Sequence, residues 1–346
     1  MTTALESRRV VIAGASSLLG AELKSVLEES RFAACDFRLV DEESVAGLLT
    51  DAGGEPAVVQ PVEEDSFRKA WIIFFTGSAG FTKRNLDLAK RSGARIVDLS
   101  GELAGLAEVQ SWLPNLQLSS TRKLTGSTLG SSASNPQASI YSIPSAPAEI
   151  IIRIATGLAS LKLSALTAVA FQPVSSSGGK AGVEELESQT GQLLSFQPIG
   201  KQVFDTQVAF TMLDRFGPAS PHKIQPSLEI LRREVQACIA DDLLAPAVQL
   251  LHAPVYYGTT VAACAFLDAP TATSTDVIKA CEAAGFSIIG DEPSPSNISS
   301  AGENTLQLAA PQADAASLGA WWFWAAADNL RLPAYDAIKL AEKLLE

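Results

Sequence analysis

Two glycines six positions apart, Gly14 and Gly20, bracket the stretch Gly14-Ala15-Ser16-Ser17-Leu18-Leu19-Gly20. It joins the β-branched run Arg9-Val10-Val11-Ile12-Ala13 to the helix-forming run Leu18 to Glu28. A tight turn from strand to helix aims backbone N–H groups and the positive end of a helix dipole at one point, so it can hold an anion such as the pyrophosphate of a dinucleotide. In that chemistry glycines allow the turn, the approach of phosphate and the close packing of the helix; here Gly14 and Gly20 fill the outer places and Ser17 the middle one. Ser16, Ser17 and Leu18 would then line the phosphates. An ordinary strand-to-helix turn carries the same glycine pair, and the βαβ setting is what favours the nucleotide. Asp41 follows Gly20 by 21 residues, at the end of the strand-like run Phe37 to Val40. A carboxylate there accepts hydrogen bonds from a ribose 2′-hydroxyl and repels a 2′-phosphate, which favours NAD over NADP. The other reading of Asp41 is a solvated residue in the acidic turn Asp41-Glu42-Glu43. Thr76, Gly77 and Ser78 follow the apolar run Trp71 to Phe75 and offer a second loop along the same sheet edge.

The elements that must position these residues alternate. After the first strand and helix come strand-like runs at Phe37 to Val40, Trp71 to Phe75 and Arg95 to Leu99, with a helical pattern at Thr82 to Ser92. Such alternation predicts a Rossmann-type doubly wound parallel sheet over roughly the first 130 residues. Leu161 to Val169, Val203 to Leu213 and Val255 to Leu267 then read as longer strand-like runs, interrupted by the Ser/Gly stretch Ser175 to Gly179, and predict a second, α+β domain. Past the polar loop Asp291 to Glu303, the run Ala325 to Leu345 has helical periodicity.

The 346 residues carry 47% hydrophobic and 18% charged side chains, enough to bury a substantial core and too apolar for a disordered chain. A formal net charge of −12 opposes nucleic-acid binding. No apolar window approaches the ~18 residues a membrane span needs. Cys35, Cys238, Cys264 and Cys281 show no metal-ligand spacing, and the only histidines are His222 and His252. The expectation is therefore no metal, no disulfide framework and a reducing, cytoplasmic setting.

Seven segments, in order, resemble the aspartate-semialdehyde dehydrogenase family. The glycine turn is similar to that family's GAxGxVG opening, Val97-Asp98-Leu99-Ser100 to its VIDxS strand, and Ser134-Asn135-Pro136-Gln137-Ala138-Ser139 to its xNPxCS active-site segment. Phe171-Gln172-Pro173-Val174-Ser175 with Gly179-Lys180-Ala181-Gly182 and Glu184-Glu185-Leu186 resembles YQAVSGxGxxGxxEL. Phe204 to Phe210 resembles an FPHQIAFN strand, Ala253-Pro254-Val255 with Gly258 an RVPVxxGH strand, and Ala327-Asp328-Asn329-Leu330-Arg331 an ADNLRKG helix. The resemblance implies a Rossmann-type domain over 1–134, an α+β substrate and dimerisation domain with a large mixed sheet over 135–320, and a C-terminal helix within 321–346 that returns to the first domain. It also implies a homodimer and a dinucleotide contact at Asn329.

In the family a cysteine attacks the semialdehyde carbonyl, a histidine manages the proton, hydride passes to NADP, and phosphate releases an acyl phosphate. The matching positions here are Ala138 and Thr259. The family's anchoring arginine falls on His252 and, with Arg233 aligned to that motif's arginine, the glutamate of its NETRK helix falls on Leu231. Asn135, Gln172, Asp328 and Asn329 keep their family identities. Ser139, beside the vacant cysteine position, would need a base and would give an oxygen ester rather than a thioester. The expectation is a family member that keeps the dinucleotide fold and has lost the reacting centre. The alternative is an NAD(P)-dependent oxidoreductase acting on another small substrate without a covalent intermediate, with Gln172, Ser139 or His252 orienting it.

Overall fold

The computed structural model describes residues 8–52, 55–116, 139–239, 243–268, 272–290 and 293–345. They divide into two compact units, one formed by the residues up to Pro144 together with those from Pro333 onward, the other by Ser145–Leu332.

The first unit is built on strands β1 (Arg9–Ala13), β2 (Asp36–Asp41), the small hairpin β3 (Leu49–Ala52) and β4 (Glu55–Val58), β5 (Gln60–Pro61), β6 (Ala70–Phe75), β7 (Arg95–Asp98), β8 (Val109–Ser111) and β9 (Ile140–Ser142). Helix α1 (Leu18–Glu28) follows β1 and α2 (Ala79–Arg91) follows β6. Seven strands form one parallel sheet in the order β5-β2-β1-β6-β7-β9-β8. Alternation decides what each face meets. Val10, Ile12, Ile72, Phe74 and Val97 pack with Leu23 and Leu27 of α1. Val11, Ala13, Ile73, Phe75 and Ile96 pack with Phe81 and Ala89 of α2. Both faces being covered is why these strands read as unbroken apolar runs.

The second unit contains α3 (Ala146–Leu158), β10 (Leu163–Gln172), α4 (Val174–Leu194), α5 (Ile224–Cys238), β11 (Ala247–His252), β12 (Thr259–Leu267), α6 (Ser274–Ala283), β13 (Phe286–Ile289), β14 (Leu306–Ala309), β15 (Gln312–Ala313) and β16 (Ala320–Ala327). Its mixed sheet runs β11-β10-β12-β16-β14-β13, with β15 on β16. Val261, Ala263, Ala265, Trp321, Phe323 and Ala325 point to the buried side, which α3 covers. On the opposite side Phe266, Trp322 and Trp324 stand 41%, 49% and 37% exposed.

Four expectations change. Residues 321–327 are not helical: Ala320–Ala327 is a strand hydrogen-bonded between β12 and β14, where cross-strand pairing of its aromatic residues overrides the helix propensity of its alanines. Helix α7 (Arg331–Lys343) starts after it, and Ala334, Ala337, Ile338 and Leu340 join the core of the first unit. The units divide at Pro144 and Leu332 rather than at 134 and 320, because β9 pairs with β7 and β8 in the first sheet and β16 belongs to the second. Val203 to Leu213, Phe204 to Phe210 included, is not a strand. Glu185 on α4 accepts from the N–H groups of Val203 and Phe204, and Gln189 one turn later accepts from those of Val208 and Ala209. Side chains thus take the donors a sheet partner would need, and Asp205 (φ 51°) and Phe210 (φ 59°) turn the backbone left-handed. Likewise β12 starts only at Thr259, after Gly258 at φ 79°.

Candidate functional site

At the edge of the first unit β1 hands over at Gly14, the residue just past its end, whose φ of 94° is a conformation glycine adopts without strain. The loop after β6 crosses so closely that a Cβ on Gly14 would lie 2.2 Å from the Gly77 nitrogen, and one on Gly20 would lie 2.5 Å from the Gly14 oxygen. Thr76 Oγ1 donates to the Gly14 carbonyl at 3.0 Å and ties the two loops together. Ser17 is the N-cap of α1: its Oγ accepts from Gly20 N at 2.9 Å and donates to the Thr76 carbonyl at 2.9 Å. Ser78 caps α2 in the same way through Phe81 N.

Counting donors shows what is left for a ligand. Gly14 and Ala15 donate to Val40 O, Ser16 to Asp41, Ser17 to Gly14 O and Gly20 to Ser17 Oγ. Among the described residues nothing accepts from the N–H groups of Leu18 and Leu19, which point out of the first turn of α1. These two N–H groups are the donors the turn leaves open to an acceptor. Asp41 is not a solvated turn residue: it is 6% exposed, its Oδ2 accepts from Ser16 N (2.8 Å) and Ser16 Oγ (2.6 Å), and its Oδ1 accepts from Glu42 N (2.8 Å). The carboxylate clasps the turn and places a negative charge beside it. Leu19 and the environment of Asp41 were not legible beforehand, since a backbone donor becomes visible only once its competitors are assigned.

In the second unit Thr259 is 1% exposed, and its Oγ1 donates to the Phe171 carbonyl at 3.1 Å. Gly258 N donates to Asn329 Oδ1 at 2.7 Å, and Asn329 Nδ2 donates to Ser175 Oγ and Ser176 Oγ at 3.1 and 2.9 Å. Asn329 therefore fastens the start of β12 to the start of α4. Gln172 ends β10 in register with His252, its carbonyl accepting from Ala253 N. His252 does not line an open pocket. It is fully buried, its ring packs on Phe204 and Phe216 at 6.2 and 5.5 Å, Nε2 lies 3.4 Å from Val208 O, and Nδ1 has no partner. Burial lowers its pKa and keeps the imidazole neutral. Asn135 and Ala138 lie outside the described residues; Ser139, just before β9, is exposed.

Three of the four cysteines do not stand in as nucleophiles. Burial pushes the Cys281 thiol up to about 12 and raises those of Cys35 and Cys264, so these three are not thiolates near neutral pH. Among the described residues no group of three or more His, Cys, Asp or Glu side chains is placed to hold a metal ion, and no helix is long and apolar enough to cross a membrane.

Fold and site together define a semialdehyde dehydrogenase architecture. Residues 9–124 match the family model for the semialdehyde dehydrogenase NAD binding domain and residues 157–332 that for the semialdehyde dehydrogenase dimerisation domain. The chain belongs to the semialdehyde dehydrogenase family. Among its relatives, a USG-1 protein homolog of Azotobacter vinelandii is 27% identical over 97% of both chains, and an aspartate-semialdehyde dehydrogenase of Shewanella violacea is 22% identical over 97% of both. A probable aspartate-semialdehyde dehydrogenase structure from Pseudomonas aeruginosa superposes with a TM-score of 0.84 at 24% identity, covering 98% of this chain and 99% of that one.

Proposed function

We propose that this protein is a dinucleotide-binding member of the family that does not carry out the phosphorylating dehydrogenation of aspartate semialdehyde. Thr259 carries the reading. At the position of the family's histidine stands a hydroxyl that does not titrate near neutral pH and is already committed to a backbone carbonyl inside the protein. Ala138, at the cysteine position, has no side chain able to form a thioester. The test is direct: purified protein with aspartate semialdehyde, phosphate and either NAD or NADP should show no reduced nucleotide above background. Turnover near that of a cysteine-containing relative overturns the proposal.

The residues of the first unit fit a dinucleotide. The free N–H groups of Leu18 and Leu19 would hold its pyrophosphate, and the Cβ-free surfaces of Gly14 and Gly77 let the two loops close beneath it. The bound nucleotide would supply a hydride acceptor or donor at its nicotinamide ring. The buried charge of Asp41 beside Ser16 supports NAD over NADP. This intact end also favours the second reading, a different hydride transfer that needs no covalent intermediate, with Ser139 of the same unit exposed and available to orient a substrate. Release of bound small molecules from purified protein, with spectroscopic detection of oxidised and reduced nucleotide, separates a turning-over enzyme from a binding protein.

The proposal includes a homodimer formed through the open side of the mixed sheet. Cys264 faces Trp322 in register there, Phe171 packs on Trp324 at 6.1 Å, and Phe266 extends the apolar surface, a face that a second copy would cover. It also places the protein in a reducing, cytoplasmic setting, in keeping with four cysteines scattered in sequence without a disulfide framework or metal-ligand spacing.

A further inference from the structure

Just past β2, Glu42 Oε1 accepts a hydrogen bond from Arg84 Nη2 of α2. Both side chains are partly open to solvent, 46% and 60% exposed. Arg84 bends back toward the start of its own helix: a Cβ on Gly80, four residues earlier, would touch Arg84 Nη1 at 3.4 Å. The guanidinium thus sits near the positive end of the α2 dipole, where a cation is disfavoured, and Glu42 offsets that cost.

The position of this pair in the sheet gives it meaning. β1 lies between β2 and β6, so the pair spans from the end of β2 to the helix after β6, on either side of the glycine turn. In a sheet of this type the adenosine ribose lies against the end of the second strand. Asp41, the acid expected to meet it, already accepts from Ser16 and Glu42. The charges free to respond to a group on the ribose are therefore its neighbours.

We propose that Glu42 and Arg84 set cofactor choice at the adenosine 2′ position: Arg84 is the cation a 2′-phosphate would claim, and Glu42 withholds it. This rests on the nucleotide-binding reading above. An exposed ion pair is weak and exchanges readily, whereas a guanidinium–phosphate contact can be bidentate. With Glu42 present, a 2′-phosphate must displace one carboxylate and approach a second, buried one; NAD meets neither obstacle.

Calorimetric titration of the full-length protein with NAD and with NADP tests this. The unmodified protein should bind NAD more tightly. Glu42→Gln should tighten NADP by about tenfold, the scale of one gained charge-assisted contact, while NAD changes by less than about twofold. Adding Arg84→Gln to Glu42→Gln should remove the gain. NAD binding accompanied by an unmoved NADP affinity in Glu42→Gln overturns the inference alone, as does equal tightening of both nucleotides or a gain that survives the loss of Arg84. Absence of binding by either nucleotide in every variant overturns the nucleotide-binding reading and this inference with it.

Discussion

The glycine turn of the first unit, at the end of a parallel strand, and the Thr259 region of the second, at the start of an antiparallel one, both sit where a strand meets a loop, yet they are built from different things. Around the turn, the requirements lie in the backbone: Gly14 at positive φ, Gly14 against Gly77 within a distance no Cβ tolerates, and two helix N–H groups left open. Around Thr259 the backbone frame is fastened by Asn329 to Gly258, Ser175 and Ser176, and the Thr259 hydroxyl is itself committed to the Phe171 carbonyl. On the function proposed above, the frame of the site has outlasted its reactive groups. Frame residues hold the fold together, whereas a nucleophile and its base contribute chemistry that the fold does not need.

The sharpest way to break this comparison is kinetic. Loss of nucleophile and base together costs about 10⁶-fold in unrelated hydrolases, and a deficit of that order is expected in aspartate semialdehyde oxidation. Ala138→Cys with Thr259→His should not restore the reaction, because His252 and Leu231 also differ from the family's anchors and both are buried; recovery to within about tenfold of an active relative would show that only two side chains separate the states.

Next in size is stability. Gly14→Ala forces a Cβ against Gly77 and a left-handed φ on alanine, so we expect a loss of about 3 kcal/mol or more. Thr259→Val removes one buried hydrogen bond and leaves the Phe171 carbonyl without it, an expected loss of about 1 kcal/mol. Denaturant midpoints compare the two directly, and equal losses would erase the contrast between backbone-determined and side-chain-determined sites.

A third prediction uses the open sheet face. Trp322→Glu with Trp324→Glu should convert a dimer of about 73 kDa, twice the 36.3 kDa chain, into monomer without lowering the thermal midpoint of the chain by more than dissociation explains. Light scattering reads the mass; a monomer in the unmodified protein at all concentrations removes the premise.

The smallest expected effects concern pH and capping. His252 and His222 both have pKa values lowered by burial in the folded protein. Their neutral forms are the folded forms, so their contribution to stability is present above the ordinary histidine value of about 6.5 and falls away as pH drops below it. Replacing His252 with Phe should flatten the acid limb of a stability-against-pH curve; an unchanged limb would assign it to carboxylates. Ser17→Gly should cost only a few tenths of a kcal/mol in capping, while releasing Gly20 N to a ligand and tightening both nucleotides a few-fold, again by calorimetry.

How much of this was legible beforehand differs by region for one reason. Strands β1, β2, β6 and β7 are covered on both faces, so burial writes itself into local composition, and α1 and α2 carry their own serine caps. Sequence by itself determined the parallel sheet and the glycine turn, because each depends on residue type at a local spacing. Tertiary structure alone decided three other matters: that the Ala-rich stretch 320–327 is a strand, that 203–213 is held as loop by Glu185 and Gln189, and that Asp41 turns inward to Ser16. In each, a hydrogen-bond partner far along the chain competes with the local preference and wins, and no local pattern can announce which distant group will arrive.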